Sequence, residues 1–583
     1  MPQHKRAKWT IMIYLAGDNN LTSFCINVLQ QLESIKSDDI CVLACFDSNT
    51  PWLKGSRYLE INCHRRPQND ALNWDLHNDM IVPYKRFKSQ NFCEDKFERP
   101  DLRDSDLKPV VAEGLKRFIN WSLRKHGDSE RFMLILFGHG PVVAGQTFLA
   151  QDNPPSSVKL QDLPRVLGHH FGPGRKRKLD LLVCQNCVMN GIETAFEVKK
   201  YVNYMAGSQG LVLATGWPYD KLIGAVAKKP DADTSVIARA MLRVCARNLL
   251  DFSIMDRSSE QSVMDLSKLD KPVRITTAIH DLASALNECL KFKGSRGRQV
   301  VSYPAIRDAV KLARLEAQSY WGENFVDLYD FCERLIKQCR SIARINTALL
   351  RELGVSRKTA SPNAQFQSSD LGQKLLEIVR CCIAVQNQID EIVLDSFYIG
   401  SELQYSHGIS IYFPWTLPTD PYTFVPMSQG RDFWLVTAFD TYLNYDFVEV
   451  SGWGEFLVNF FKATLRNVRR AKQNFRLTNT TAMPLGLNES IAAPAEVLTS
   501  NLQKSSPDGG ITDNTVWSNV KNYPRRNYLS PPDYDRSIDV AARRRVGDKQ
   551  FTQATSPPVS YLGWNLTGMA AEVVKSRRKN RRP

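Results

Sequence analysis

The sequence predicts an α/β fold in which a mainly parallel central sheet is flanked by helices. Short apolar runs, which are typical of buried strands, alternate with segments of helical periodicity through residues 1–228, and strands separated by helices of this length form βαβ units. The chain has 583 residues, of which 43% are hydrophobic. Because that length exceeds what one core usually holds, we expect one large domain with additions, or two to four domains.

The N-terminal part is predicted to begin with a strand, a helix and a second strand. Residues 9–16 and 40–46 are short apolar runs, and the segment around 20–35 between them is amphipathic. The N-terminus superficially resembles a signal peptide, but its apolar part is brief and no small-residue cleavage site follows, so we interpret it as a buried strand. A charged, irregular stretch runs from about 54 to 107, and a helix is predicted over 109–125.

The next two apolar runs each end beside a reactive residue. Residues 132–138 lead directly into His139 and Gly140, and residues 179–184 are followed closely by Cys187. In open α/β sheets, reactive groups collect beyond the carboxyl ends of the strands. If these two strands are neighbours, a base and a nucleophile meet there, as in a cysteine peptidase. A helical pattern begins directly after Cys187, so we expect this thiol at a helix N-terminus, where amides and dipole favour the thiolate.

The rest of the ordered chain is predicted to be largely helical. Residues 211–214 suggest one more strand, and residues 230–400 are mostly helical. A strand over 408–414 is expected to join the main sheet from far along the chain, and the aromatic residues between 434 and 461 are expected in the core.

After about residue 466 the composition changes to Asn, Ser, Thr, Pro and Arg, and the apolar periodicity fades. Such a segment cannot bury enough apolar area to offset its chain entropy. We therefore predict a core that contains the His139 and Cys187 strands over 1–228, a mostly helical part with the returning strand over 229–465, and a disordered basic tail over 466–583.

The formal net charge is +15, partly from clusters at 175–178 and 575–582. Such runs can bind nucleic acid or acidic surfaces, or they can be solvated loops and tails. A basic tail that anchors a partner would be compatible with any activity of the core. No stretch reaches the ~18 apolar residues that a membrane helix needs.

Thirteen cysteines, including the adjacent Cys381 and Cys382, are scattered along the chain. This pattern does not resemble a secreted disulfide framework and favours a reducing cytoplasm. The spacing of Cys184 and Cys187 is also that of a redox dithiol or half a zinc site, but no second such pair accompanies it. His407 precedes a glycine and a strand and is interpreted as structural, since no cysteine partner belongs to its pattern. The adjacent His169 and His170 have no ligand spacing around them.

Several segments taken together resemble the clostripain-type cysteine peptidases, which share the caspase-like fold of gingipains, legumains and separases. Each segment is a weak signal, but they occur in the family's order over about residues 9–460. They are WTIMIYLAGDNNL (9–21), LILFGHG (134–140), CVMNGIETAFE (187–197), SQ (208–209), GWPY (216–219), SVMDLSKL (262–269), VDLYDF (326–331) and HGISIYFP (407–414).

The resemblance implies a caspase-like fold and peptide hydrolysis through a thioester acyl-enzyme. Cys187 would be the nucleophile, and His139 would protonate the departing amine. The backbone amides of Gly140 and Cys187 would form the oxyanion hole. The substrate-binding positions that the family pattern implies are Gln185, Ser208, Thr215 and Trp217.

The chain departs from the family where relatives hold a basic substrate side chain. Relatives that cut after arginine or lysine carry acids two positions before the nucleophile and just before the Gly-Trp pair, where this chain has Gln185 and Thr215. A buried guanidinium without an anion is strongly disfavoured, so we predict that Arg and Lys are not preferred at P1, the residue before the scissile bond. The same loss suggests a caspase-fold scaffold of weak or no activity as an alternative to an active endopeptidase.

The departure also bears on activation. Relatives often mature by self-cleavage in the loop between the histidine and cysteine strands, here about 141–178, which ends in an exposed basic run. If the pocket rejects basic residues, we expect cleavage by another protease or activity as a single chain gated by a partner. No cofactor is predicted, and no acidic loop with ligand spacing supports the calcium dependence of some relatives.

Overall fold

The structure is a computed structural model. It describes residues 6–35, 37–50, 53–61, 72–74, 87–89, 92–96, 110–140, 147–152, 155–213, 217–251, 258–270, 274–295, 298–320, 324–352, 369–414 and 442–464. The predicted tail at 466–583 and residues 434–441 of the aromatic segment lie outside these ranges. The division of the chain at 228 and 465 stays a prediction.

The strands of the described residues are, in chain order, β1 (Trp9–Gly17), β2 (Ile40–Thr50), β3 (Leu53–Ile61), β4 (Leu72–Trp74), β5 (Phe87–Ser89), β6 (Phe92–Lys96), β7 (Arg131–Phe137), β8 (Thr147–Asp152), β9 (Pro155–Lys159), β10 (Leu179–Gln185), β11 (Val202–Gly207), β12 (Ser259–Asp265), β13 (Phe292–Ser295), β14 (Arg298–Val301), β15 (Ser319–Tyr320), β16 (Phe325–Asp327), β17 (Val393–Ile399) and β18 (Ser410–Tyr412).

A nine-stranded sheet forms the centre, with the order β17-β12-β11-β10-β7-β1-β2-β3-β6. The five strands β11, β10, β7, β1 and β2 are parallel neighbours. The two strands at either edge pair in antiparallel fashion. The predicted α/β class with a parallel central sheet is therefore confirmed.

The helices are α1 (Thr22–Leu32), α2 (Val110–His126), α3 (Asp162–Gly168), α4 (Ile192–Val198), α5 (Tyr219–Lys228), α6 (Thr234–Asp251), α7 (Ile275–Leu290), α8 (Pro304–Glu316), α9 (Leu328–Glu352), α10 (Asp370–Ile392) and α11 (Asp446–Ser451). Residues 453–464 are also helical. Among the described residues, no helix combines the length and the apolar character that a bilayer crossing requires.

Helices cover both faces of the sheet because its central strands are apolar on both sides. Along β1, Met12 and Tyr14 belong to one core, and Ile11 and Ile13 belong to the other. Alternate residues of a strand point to opposite faces, so a continuous apolar run needs two covering layers. Helices α2, α3, α4 and α7 contribute to the first core, and α1, α5 and α6 contribute to the second.

The largely helical character of 230–400 is confirmed by α6 to α10, but the region also supplies β12 and β17 to the main sheet. The predicted strand at 408–414 is present as β18. However, the expectation that it joins the main sheet is wrong, because β18 pairs with β16 in a separate three-stranded sheet. The edge beside β12 is already occupied by β17.

Two further expectations differ from the structure. The stretch from 54 to 107 is not wholly irregular, since β3 and β6 extend the main sheet there. The strand suggested at 211–214 lies instead at Val202–Gly207, and residues 211–213 are not in a strand. The apolar residues 211–213 belong to a connection that runs beside Cys187, as the contacts below show.

Candidate active site

The strands that precede His139 and Cys187 are direct neighbours. β7 and β10 pair in parallel, and Phe137 at the end of β7 lies opposite Gln185 at the end of β10. The two segments that follow these strands therefore leave the sheet side by side at its carboxyl edge. This adjacency was the condition on which a histidine and a cysteine could meet.

Backbone contact between Gly140 and Cys187 fixes the two segments together. A Cβ atom added to Gly140 would lie 1.9 Å from the carbonyl oxygen of Cys187 and 2.4 Å from its amide nitrogen. Any side chain at position 140 would force the segments apart, since real Cβ atoms do not approach so closely. Glycine is needed here for contact with the backbone of Cys187.

Asn186, the residue before the thiol, ties the cysteine segment to the histidine segment. Its side chain is fully buried, and its Nδ2 donates to the carbonyl oxygens of Gly138 at 2.8 Å and His139 at 3.4 Å. Buried amides of this kind rigidify a site when their hydrogen bonds are made. Asn186 was not among the predicted site residues, although a polar residue between two apolar segments was a usable signal.

The His139 ring is held by a residue from a third strand. Its Nε2 lies 2.7 Å from Oδ1 of Asn20, which follows β1, the other neighbour of β7. Asn20 was not predicted from the sequence either. Since β1 also ends at the carboxyl edge of the sheet, the polar residues Asp18, Asn19 and Asn20 directly after it could have indicated a contribution.

Cys187 does not lie at a helix N-terminus, contrary to the prediction. Helix α4 begins only at Ile192, and Val188, directly after the thiol, is left-handed with a φ of 57°. The intervening backbone bonds to other segments instead, with Asn190 N donating to Ser208 O at 2.9 Å and Ser410 N donating to Asn190 O at 3.0 Å. These contacts hold the chain out of helical geometry.

The Cys187 thiol is partly shielded and faces backbone amides. Val212 N donates to its Sγ at 3.4 Å. Burial raises the pKa of Cys187, while hydrogen bonds from the backbone N–H groups of Val212, Cys187 itself and Gly140 oppose that rise. Because the residues after Cys187 are not helical, the thiol does not lie at the end of a helix dipole as the sequence predicted.

The segment after β11 lies beside Cys187 and is bound by the buried carboxyl group of Glu260. Val188 N donates to Gly210 O at 2.8 Å. The hydroxyl of Ser208 donates to Oε1 of Glu260 at 2.5 Å, and Gly210 N donates to the same oxygen at 2.7 Å. Burial raises the pKa of Glu260 to about 7. Ser208, predicted to bind substrate, therefore has its side chain directed to Glu260.

The two other described pocket positions lie on the α5 side of the sheet. Gln185 is 3% exposed, and its Oε1 accepts a hydrogen bond from the Tyr219 hydroxyl. Trp217 lines a narrow, mostly apolar crevice together with Val183 and Gly207 at the ends of β10 and β11. Thr215 lies outside the described residues.

The alternative readings of neighbouring residues find little support. Cys184 and Cys187 are both thiols, and Cys184 is fully buried, which raises its pKa. His407 is buried, with its Nδ1 3.1 Å from Oδ1 of Asp327 and its ring stacked on Tyr329, in agreement with a structural role. Within the part of the chain that the structure describes, no group of three or more His, Cys, Asp or Glu side chains is placed to hold a metal ion.

Comparison with known proteins gives one family. The model of the clostripain family matches residues 13–453. A search of curated proteins found no match. Among solved structures, the chain is similar to a secreted C11 cysteine protease from Bacteroides thetaiotaomicron in complex with an irreversible peptide inhibitor, with 12% identity, a TM-score of 0.42 and coverage of 77% of this chain and 99% of the other.

It is also similar to an inactive zymogen C11 protease from Parabacteroides distasonis, with 14% identity, a TM-score of 0.42 and coverage of 77% of this chain and 99% of that chain. Likenesses at this level carry no argument about the site. The evidence for the family is the family model, which spans most of the chain.

Proposed function

Since the chain belongs to the clostripain family and is a cysteine peptidase, we propose that it is an endopeptidase whose catalytic dyad is His139 and Cys187. The observation that carries this proposal is the backbone contact of Gly140 with Cys187 across the paired strands β7 and β10. It brings the histidine and cysteine segments together at the open edge of the sheet.

In the proposed reaction, Sγ of Cys187 attacks the carbonyl carbon of the scissile bond while its proton passes to the imidazole of His139. The tetrahedral intermediate collapses when His139 gives that proton to the departing amine, and a thioester remains on Cys187. Water then attacks the thioester, His139 takes the water's proton, and the carboxylic acid product leaves with the thiol restored. General acid–base catalysis of this type contributes about 10²- to 10⁴-fold.

The oxyanion would be bound by the backbone amides of Gly140 and Cys187. Both amides belong to the segments that are in backbone contact at Gly140 and Cys187, and this supports a joint role. Preorganised donors need no reorganisation during the reaction, and removal of one such donor typically costs about 10²- to 10³-fold in rate. The buried Asn186 would support them by holding the segment of residues 138–139.

Asn20 would act as a positioning residue. Its amide oxygen lies 2.7 Å from Nε2 of His139, a contact that would set the orientation of the ring towards the thiol and the substrate. A base whose orientation is set by a third group is the usual arrangement in nucleophilic catalysis.

The P1 pocket would accept a neutral side chain. Gln185 supplies an amide where an acid would be needed, and its carbonyl oxygen is already engaged by Tyr219. A guanidinium or ammonium group beside Gln185 would lose its hydration without gaining an anion, which costs several kcal/mol.

Activation would not proceed by self-cleavage at the basic run 174–178. Residues 173–176 are exposed, but they form a tight turn in which Gly172 N donates to Arg177 O at 2.9 Å and Arg175 N donates to Gly172 O at 3.0 Å. A protease cleft binds an extended segment, so this turn would have to open first. Cleavage by another protease, or gating of the single chain by a partner, fits better.

The proposal includes a reducing, cytoplasmic location, based on the number and scatter of the cysteines. The substrates of a peptidase are proteins or peptides. A role of the basic tail in binding nucleic acid or an acidic partner also stays a proposal, which predicts salt-sensitive binding that truncation near residue 465 abolishes.

Peptide hydrolysis by matched variants tests the function. Cys187→Ala and His139→Ala should each remove turnover of a peptide library, whereas Cys184→Ala, three residues earlier and on strand β10, should retain it. A cysteine-directed electrophile should label wild type at Cys187 but not Cys187→Ala. Turnover that survives Cys187→Ala would refute the dyad, and a folded wild type without turnover or labelling would favour the scaffold alternative.

A further inference from the structure

A second cysteine forms a relay of reactive side chains with a histidine and a glutamate. Sγ of Cys41 lies 3.3 Å from Nδ1 of His126, and Nε2 of the same ring lies 2.7 Å from Oε1 of Glu60. A nucleophile in contact with a base that is itself oriented by a third group is the arrangement that activates thiols. None of the three residues takes part in the site described above.

The relay lies at the amino ends of the central strands, and the candidate peptidase site lies at their carboxyl ends. Cys41 is the second residue of β2 and pairs with Thr10 near the start of β1, whereas His139 and Cys187 follow the strand ends. At ~3.3 Å per residue, the length of β1 separates the two regions by roughly 20 Å. The relay is therefore chemically independent of the peptidase site.

Two basic side chains meet one carboxylate beside Cys41. His126 and Lys125 share Glu60, since Nζ of Lys125 lies 3.4 Å from Oε2 of Glu60. With the imidazole protonated, two cations face this single anion next to the sulfur. His126 is also the last residue of α2, where the helix dipole stabilises a cation.

The same contacts act on the imidazole. Hydrogen bonds to Cys41 and Glu60 raise the pKa of His126 to about 10. The hydrogen bond from His126 lowers the pKa of Glu60. An imidazolium that persists at neutral pH keeps an opposite charge in contact with the sulfur, and thiolates are the reactive form of cysteine.

Solvent can reach the relay. Cys41 is half-buried, and the side chains of His126 and Glu60 are 27% and 18% exposed. All three side chains of the relay thus lie at least partly at the surface. By contrast, most other described cysteines, such as Cys25 and Cys245, are buried.

We propose that Cys41 is a second nucleophilic thiol and a modification site for low-molecular-weight disulfides, activated by His126 and Glu60. The Cys41 thiolate attacks one sulfur of the disulfide, a new S–S bond forms as the old one breaks, and the departing thiolate takes the proton from Nδ1 of His126. One disulfide is exchanged for another, so no further oxidant or reductant is required.

Glutathione disulfide is the test reagent, applied to the full chain carrying Cys187→Ala so that the first nucleophile is absent. Intact mass measures the extent of addition, and peptide mapping locates it. Cys381 is the internal control, because it is also half-buried but burial raises its pKa to about 11. We expect addition at Cys41 well before Cys381, and its loss in Cys41→Ser but not in Cys381→Ser.

The relay itself is tested by the pH dependence. The wild-type rate at Cys41 should depend less on pH between 6 and 8 than the rate in His126→Gln. In His126→Gln the rate at pH 7 should fall to about a tenth of the wild-type rate and rise about tenfold per pH unit, as for an ordinary thiol. Glu60→Gln should give a smaller decrease, and thermal melting monitors folding. Equal rates at Cys41 and Cys381, or a pH profile that folded His126→Gln or Glu60→Gln leaves unchanged, would overturn the proposal.

Discussion

Nε2 of His139 lies 2.7 Å from Oδ1 of Asn20, so the imidazole at the end of β7 is held by a side chain from the end of the neighbouring β1. Three adjacent parallel strands, β1, β7 and β10, thus each contribute one residue to the candidate site. If His139 is the base of the proposed dyad, Asn20 sets its orientation, and this can be tested.

Asn20→Ala should lower kcat by about 10- to 100-fold with little change in KM, because the imidazole loses its orientation while the substrate pocket is untouched. Asn20→Asp keeps an oxygen acceptor and should retain most activity, with a shifted acidic limb of the pH–rate profile. Steady-state kinetics over pH separate these outcomes. If Asn20→Ala changes only thermal stability, the residue has no positioning role.

Gly140→Ala should reduce kcat by about 100-fold or more. A Cβ atom cannot fit 1.9 Å from the Cys187 carbonyl oxygen, so the two segments that carry the proposed oxyanion donors, the amides of Gly140 and Cys187, must separate. The matched control is Gly224→Ala, where an added Cβ meets nothing within 4 Å. In helix α5 that change should be neutral or stabilise the fold by about 0.5–1 kcal/mol. Full activity of Gly140→Ala would contradict the observed contact.

Alkylation of Cys187 in the free enzyme should accelerate as the pH rises through 9. Burial raises the pKa of this thiol, so the reactive thiolate becomes populated only above the ordinary range of a cysteine, about 8.5. Iodoacetamide labelling with mass spectrometry at fixed times measures the rate, and Cys187→Ala gives the background. A rate that is already constant between pH 6 and 8 would show a resting thiolate–imidazolium pair instead.

Peptides with neutral P1 residues should be cut faster than those with Arg or Lys, because Gln185 offers no charge to a cation. Gln185→Glu keeps an acceptor for the Tyr219 hydroxyl and should raise kcat/KM for P1 Arg relative to a neutral residue by about tenfold, or ~1.4 kcal/mol. A panel of fluorogenic peptides varied at P1 measures both. Rapid cleavage after arginine by wild type would refute this account of the pocket.

The sequence alone was sufficient for the central architecture because burial leaves a local signature. The runs at β1, β7 and β10 are apolar on both faces, and such runs are typical of parallel strands covered by helices. His139 and Gly140 after β7 and Cys187 after β10 also identified the carboxyl edge of the sheet as the location of the candidate site. The helices α2, α6, α7 and α9 were evident from their periodicity for the same reason.

The details around the thiol were not evident, because they depend on contacts between distant segments. Periodicity after Cys187 indicated a helix from the next residue, yet hydrogen bonds from Ser410 and to Ser208 keep residues 188–191 out of one. The strand at 408–414 was found, but its partner was not, because the free edge of the main sheet was taken by β17. Local propensity cannot decide between competing partners of equal apolar character.

The α/β class, the central apolar strands and the candidate pair His139 and Cys187 could be predicted because they follow from the identity and spacing of neighbouring side chains. The residues that contact this pair became evident from the folded structure alone. Asn20, Asn186, Glu260 and the relay of Cys41, His126 and Glu60 come together through strand order and packing, and a hydrogen bond between residues far apart in the chain leaves no pattern in either segment alone.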